Sequence, residues 1–135
     1  MLREAGGSVD RPDGDSPLRV TVEQITLGIM VSLRGELDYA TAMLVPSELD
    51  QLPTVAGPPR VILDLSELTF CDSSGLMQLL RLWKRLQAAG GALALVGVRG
   101  MCARLLQRTA LDQLFAMYPS VGEAETALAG NTGPP

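Results

Sequence analysis

Apolar and polar residues alternate with a period of two early in the chain, and helical spacing takes over later. Leu18, Val20 and Val22 alternate with Arg19, Thr21 and Glu23; Ile29, Val31 and Leu33 alternate with Met30, Ser32 and Arg34. Successive side chains of a strand point to opposite faces, so each run predicts a half-buried strand. A short turn from Thr26 to Gly28 separates them, and an antiparallel hairpin follows. Gly35-Glu36-Leu37-Asp38 is then expected to end the second strand, with Gly35 allowing a sharp exit and Asp38 or Thr41 capping a helix. Ala42, Leu44, Val45 and Leu49 support that helix to about Leu52. Pro46 conflicts with it, because an interior proline removes a hydrogen bond at a cost of ~3 kcal/mol; the helix kinks there or begins later.

Pro53 to Pro59 reads as a loop broken by Gly57-Pro58-Pro59. Val61 to Leu65 is mostly apolar on both faces, as in a central strand covered by helices. Ser66 to Phe70 leads to Cys71-Asp72-Ser73-Ser74-Gly75. Beyond it, Leu76, Leu79, Leu80, Trp83 and Leu86 recur at helical spacing. The predicted helix runs from Ser73 or Ser74 to Ala89 and stops at Gly90-Gly91. Its outer face carries Met77, Gln78, Arg81, Lys84 and Arg85, and the three cations read as a solvated face. Ala92 to Val98 is a second buried strand, so strand, helix and strand predict a parallel βαβ unit. Met101, Leu105 and Leu106 define a helix ending near Thr109, and Phe115 to Tyr118 suggests a short last strand. Val121, Ala124, Ala127 and Leu128 space as a terminal helix, with Ser120 and Glu123 in the capping-box pattern. The predicted class is α/β: a mixed sheet of four to five strands with an N-terminal hairpin and helices mainly on one face.

Composition narrows the chemistry. The length of 135 residues suits one domain. It is expected to span 18–129, between a disordered acidic arm at 1–17 and a flexible tail at 130–135. A net charge of −4 argues against nucleic-acid binding. The chain has no histidine, hence neither the commonest general base, the usual zinc ligand nor a Ser-His-Asp triad. No Gly-x-Gly-x-x-Gly or Walker loop is present. Two cysteines are too few for a disulfide scaffold, and neither a signal peptide nor a membrane-length apolar run is visible. A cytoplasmic binding protein without cofactor or metal is expected, and an enzyme is not.

The chemistry that remains is concentrated where the central strand hands over to its helix. A helix N-terminus exposes N–H groups without intrahelical partners and carries the positive end of the peptide dipoles. Hydroxyls there serve as an ordinary cap or as a serine placed to carry phosphate, which such an end accommodates. Glu36 and Asp38 either belong to a capping segment or extend a binding face at the same sheet end. Met77, one turn beyond Ser73, is a core residue or an exposed contact.

With Gly35-Glu36-Leu37-Asp38 and Asp72-Ser73-Ser74-Gly75 both in place, the chain resembles a STAS domain, and most closely the bacterial anti-sigma-factor antagonists. The resemblance spans about residues 18–129 and rests on the apolar strand, the two motifs and the Gly-Gly after the helix. It implies a phosphoacceptor at Ser73, modified by an anti-sigma factor that is itself a serine kinase. The unmodified protein would bind that kinase and free the sigma factor; a serine phosphatase would reverse the modification. Asp72, Ser74 and Gly75 would shape the turn, and Glu36, Asp38 and Met77 would contact the partner. Cys71 departs from the pattern, which often has an apolar residue such as Met there, and Pro46 is unexpected.

Two rival readings stand beside this one. A STAS module can act as a constitutive docking subunit of a stress-sensing or transport complex, without phosphorylation. Alternatively, Cys71 and Cys102 form a redox pair, for which their Cα atoms must lie within about 7 Å. Set against that, free cysteines commonly pack as small buried hydrophobes.

Overall fold

The computed structural model describes residues 18–26, 28–41 and 59–130. The expected arm at 1–17, the helix from Ala42 to Leu52, nearly all of the following loop and the tail from 131 lie outside the described residues.

The alternating N-terminal runs form β1 (Leu18–Ile25) and β2 (Gly28–Leu37), paired antiparallel with Leu18 opposite Gly35 and Val22 opposite Val31. The sheet continues with β3 (Arg60–Cys71), β4 (Ala92–Val96) and β5 (Ala116–Tyr118), each parallel to its neighbour, in the order β1-β2-β3-β4-β5. α1 (Ser73–Ala88) connects β3 to β4, α2 (Gly100–Arg108) and a 3-10 turn (Leu111–Gln113) lead to β5, and α3 (Val121–Gly130) closes the domain. α3 thus includes Gly130, a residue expected in the tail.

Period two explains why β3 is apolar on both faces: Ile62 and Leu63 point in opposite directions and both are buried. Leu63, Val31 and Leu95 pack in one core with Leu79 and Leu86 of α1 and Leu106 of α2. Ile62, Ala94 and Val96 pack in a second core with Ala124 and Leu128 of α3. Two of the three described helices therefore share one face. Each fully buried leucine contributes on the order of 1.5–3 kcal/mol through removal from water.

Several boundaries differ from those expected. β2 does not end at Gly35 but passes through it to Leu37, with register shifts between Ser32 and Arg34 and between Gly35 and Glu36. Gly35 has φ 108°, which lets the ladder absorb a bulge instead of terminating. β3 does not stop at Leu65; it runs to Cys71, its last stretch paired with β2 alone. β4 ends opposite Asp64, so the β2–β3 pair projects beyond it by about 20 Å at ~3.3 Å per residue. Asp64, the one acid in the apolar run, turns inward on its own strand: its Oδ1 accepts from the Ser66 N–H at 3.0 Å and the Ser66 hydroxyl at 2.7 Å.

On α1 the buried line is Gly75, Leu76, Leu79, Leu82 and Leu86, while Leu80 and Trp83 are half-buried. The stripe turns toward Leu82, and Trp83 is too large to be fully enclosed at its edge. α1 ends as expected, with the Gly91 N–H donating to the Leu86 carbonyl at 2.7 Å and the Gly90 N–H to the Gln87 carbonyl at 3.0 Å. On α2 the buried pair is Cys102 and Leu106; Met101, expected on the inner face, is 43% exposed. The buried pair is four positions apart, about one helical turn, and Met101 falls to the outer side of that line. The Ser120 half of the capping box on α3 is formed: the Glu123 N–H donates to the Ser120 hydroxyl at 3.2 Å.

Candidate functional site at the projecting tip

The projecting end of the β2–β3 ladder carries the start of α1. The serines do not cap the helix. Asp72 does: it has extended backbone, and its Oδ1 accepts from the Gly75 N–H at 3.1 Å while its carbonyl accepts from the Leu76 N–H at 3.1 Å. Ser73 is the first helical residue, exposed, and its hydroxyl has no intramolecular hydrogen bond among the described residues. Ser74 is half-buried and Gly75 is buried.

The turn is docked on the end of β2. The Asp72 N–H donates to the Leu37 carbonyl at 3.2 Å, and Leu37 stands opposite Cys71 in the ladder. Leu37 is fully buried, and a Cβ built on Gly75 would lie 2.7 Å from its Cγ and 2.7 Å from its carbonyl oxygen. Only a residue without a side chain permits that approach. Glu36 and Asp38 flank Leu37 at the same end of the sheet, with Glu36 opposite Phe70 in the ladder.

Asp38 has a structural task that sequence left open. Its N–H donates to the Thr41 hydroxyl at 2.9 Å, and its Oδ1 accepts from the Thr41 N–H at 3.0 Å, the reciprocal arrangement of a capping box. The Thr41 hydroxyl in turn donates to the Glu36 carbonyl at 2.7 Å, and Thr41 is only 3% exposed. This corner fixes the backbone of Glu36 to Thr41. Glu36 itself is exposed, and Asp38 is half-buried.

Two large apolar side chains stand in water near this tip. Met77, one turn into α1, is 47% exposed, and Tyr39, one residue past Asp38, is 81% exposed. Tyr39 was not singled out by sequence. Its one signal is an aromatic between Asp38 and Ala40. The tip therefore offers a hydroxyl at a helix N-terminus, three acids and two unpartnered apolar groups, and no first-turn acid opposes added negative charge within α1.

Cys71 and Cys102, expected as either packing residues or a redox pair, are both buried and free, and both belong to the main core. The Cys71 thiol donates to the Asp72 carbonyl at 3.7 Å. The influence of Cys102, followed by burial, pushes the Cys71 thiol above the ordinary range, whereas Cys71 draws Cys102 down against the effect of its burial.

The STAS-domain family model matches residues 19–124, which includes every described element of the tip. The chain belongs to the STAS-domain family. Over 111 residues it is 31% identical to an anti-sigma F factor antagonist of Paenibacillus polymyxa, covering 82% of this chain and 95% of that one. A solved anti-sigma factor antagonist from Mycobacterium paratuberculosis is 31% identical with a TM-score of 0.72, over 90% of this chain and 99% of the other. An anti-sigma-factor antagonist (STAS) domain protein from Planctomyces limnophilus is 27% identical with a TM-score of 0.69, over 82% and 97% of the two chains. The five-stranded mixed sheet with its helices is the fold of these STAS structures.

Proposed function

We propose that this STAS domain is an anti-sigma-factor antagonist whose docking face is the projecting tip and whose switch is the Ser73 hydroxyl. The unmodified protein binds an anti-sigma factor that has serine kinase activity and so releases the sigma factor. Phosphorylation of Ser73 ends that binding, and a serine phosphatase restores it. The protein acts as a cytoplasmic binding partner rather than as a catalyst, and no helix among the described residues is long and apolar enough to cross a membrane.

The observation that carries this reading is the division of labour at the helix start. Asp72 makes the cap, which leaves the exposed Ser73 hydroxyl without a structural role and open to a kinase. A phosphate there adds about −1.5 to −2 charges at neutral pH, which the helix end tolerates. The domain keeps its fold, and the cost falls on the interface. A partner fitted to a neutral hydroxyl among Glu36, Asp38 and Asp72 then meets added bulk and negative charge in a water-poor contact. A loss of ~1.4 kcal/mol already lowers affinity about tenfold. Glu36, Asp38 and Met77 are the contacts assigned to the partner, with Tyr39 added by its exposure.

The test is to incubate the protein with the cognate kinase and ATP, map the phosphate, and compare binding of Ser73→Ala and Ser73→Asp variants. Phosphate on Ser73, with binding retained by the alanine and lost by the aspartate variant, supports the switch. Equal binding by both variants instead favours the constitutive docking subunit, and phosphate on Ser74 alone counts against the assignment.

A further inference from the structure

A cavity of about 230 Å³ opens where β4 and β5 end against α2, apart from the Ser73 tip. Val98, Ala103, Leu106, Met117 and Pro119 supply apolar lining, and Asp112 is its one charged residue. Two backbone features build the space. Just beyond β4 the Gly97 N–H donates to the Tyr118 carbonyl at 3.2 Å, which holds the two strand exits together. After α2, Ala110 enters the left-handed region at φ 62°, which is uncommon for a residue with a Cβ, and the chain turns into Leu111–Gln113. That turn brings Asp112 into the lining.

Asp112 stands apart from the other aspartates. Asp38, Asp64 and Asp72 are half-buried, and each accepts a hydrogen bond from a neighbouring backbone N–H. Asp112 is also half-buried, yet its carboxylate has neither a hydrogen bond nor an ion pair among the described residues. The cations of the adjoining α2, Arg104 and Arg108, are exposed and do not pair with it. Met117 is 38% exposed, so an apolar side chain faces water at the same place. A carboxylate without a partner beside uncovered apolar surface matches a ligand with a cationic head and an apolar body.

We propose that this cavity is a binding site for a small organic ammonium ion, a primary amine carried on a single ring. An apolar protein cavity of about 150 Å³ holds benzene, so about 230 Å³ accommodates a ring with a short arm. The ring replaces water against Val98, Leu106 and Met117, and the ammonium group pairs with Asp112. Anions are disfavoured, because the lining offers them no cation and sets a carboxylate against them. Partial burial weakens the screening that makes exposed ion pairs ineffective. The occupant is small and the site open to water, which places the affinity at about the millimolar level or somewhat tighter. The site does not depend on the Ser73 switch.

The test titrates the isotope-labelled full chain with 2-phenylethylamine and follows its amide NMR signals, with 3-phenylpropionate as a probe of similar shape and opposite charge. Saturable shifts are expected for the amine at Val98, Ala103, Gln107, Asp112 and Met117, and the anion should bind about fivefold more weakly or not at all. Asp112→Asn should weaken the amine by about fivefold or more while leaving the anion equal to it or better. Ala103→Leu, which fills the space, should abolish the shifts; if that variant does not fold, Asp112→Asn decides. Absence of saturable shifts, or saturation centred elsewhere on the domain, would overturn the site. Equal affinity for amine and anion, or an unchanged amine affinity in Asp112→Asn, would overturn the recognition of charge. Phosphorylation of Ser73 is read in a separate experiment, so either proposal can fail without the other.

Discussion

Gly75 sits against Leu37 so closely that a single added carbon would stand 2.7 Å from both the Leu37 Cγ and its carbonyl oxygen. This contact, together with the bond from the Asp72 N–H to the same carbonyl, joins the start of α1 to the end of β2. It turns two distant sequence motifs into one surface.

Gly75→Ala is therefore expected to destabilise the domain. An alanine normally favours a helix over glycine by about 1 kcal/mol, but overpacking costs ~1–3 kcal/mol, and a backbone carbonyl cannot yield as a side-chain end can. A net loss of about 1–2 kcal/mol should appear as a lower urea midpoint with an unchanged slope. A midpoint equal to or above wild type would show that the tip has room to open.

Asp72→Ala should cost about 0.5–2 kcal/mol, the usual penalty for losing an N-cap, while Asp72→Asn keeps an acceptor for the Gly75 N–H and most of the stability. Thermal unfolding of the pair separates the two cases. Equal loss in both would mean that charge, not the hydrogen bond, holds the turn.

Thr41→Val removes a hydroxyl that accepts from the Asp38 N–H and donates to the Glu36 carbonyl, leaving both without that partner. With Thr41 buried, a loss of ~1–3 kcal/mol is expected, with faster amide exchange at Asp38. Unaltered exchange there would show that the Glu36–Thr41 corner is held by something else.

Tyr39→Ala and Met77→Glu change exposed side chains that no described neighbour covers, so stability should stay within about 0.5 kcal/mol of wild type. Affinity for the anti-sigma factor should fall about tenfold or more if these groups anchor the interface. Calorimetry or surface plasmon resonance checks this, and full affinity in both variants would move the docking face elsewhere on the domain.

Much of the fold was legible because its elements answer to local rules. Alternation in Leu18–Val22 and Ile29–Leu33, the two-sided apolar runs of β3 and β4, and the Gly-Gly stop after α1 each follow from the period of one element. The strand ends were not legible. Gly35 reads as an exit, yet β3 alongside supplies hydrogen bonds that carry β2 on to Leu37. Polar Ser66 to Thr69 read as a connection, yet they pair with β2 in the part of the sheet that lies beyond β4. Met101 turned outward on α2 and Leu82 inward on α1 because periodicity defines a helical stripe only to within one neighbouring position, and packing selects the line.

The candidate site divides the same way. Asp72-Ser73-Ser74-Gly75 announces a strand-to-helix turn, and its resemblance to a family motif marks Ser73, because both depend on residues adjacent along the chain. That Asp72 rather than a serine caps the helix, that Leu37 lies against Gly75 and that Tyr39 is left in water are all decided by how strands register and helices pack. Hydrogen-bond length and side-chain contact act through space over a few ångströms, and only the folded sheet brings residues tens of positions apart within that reach.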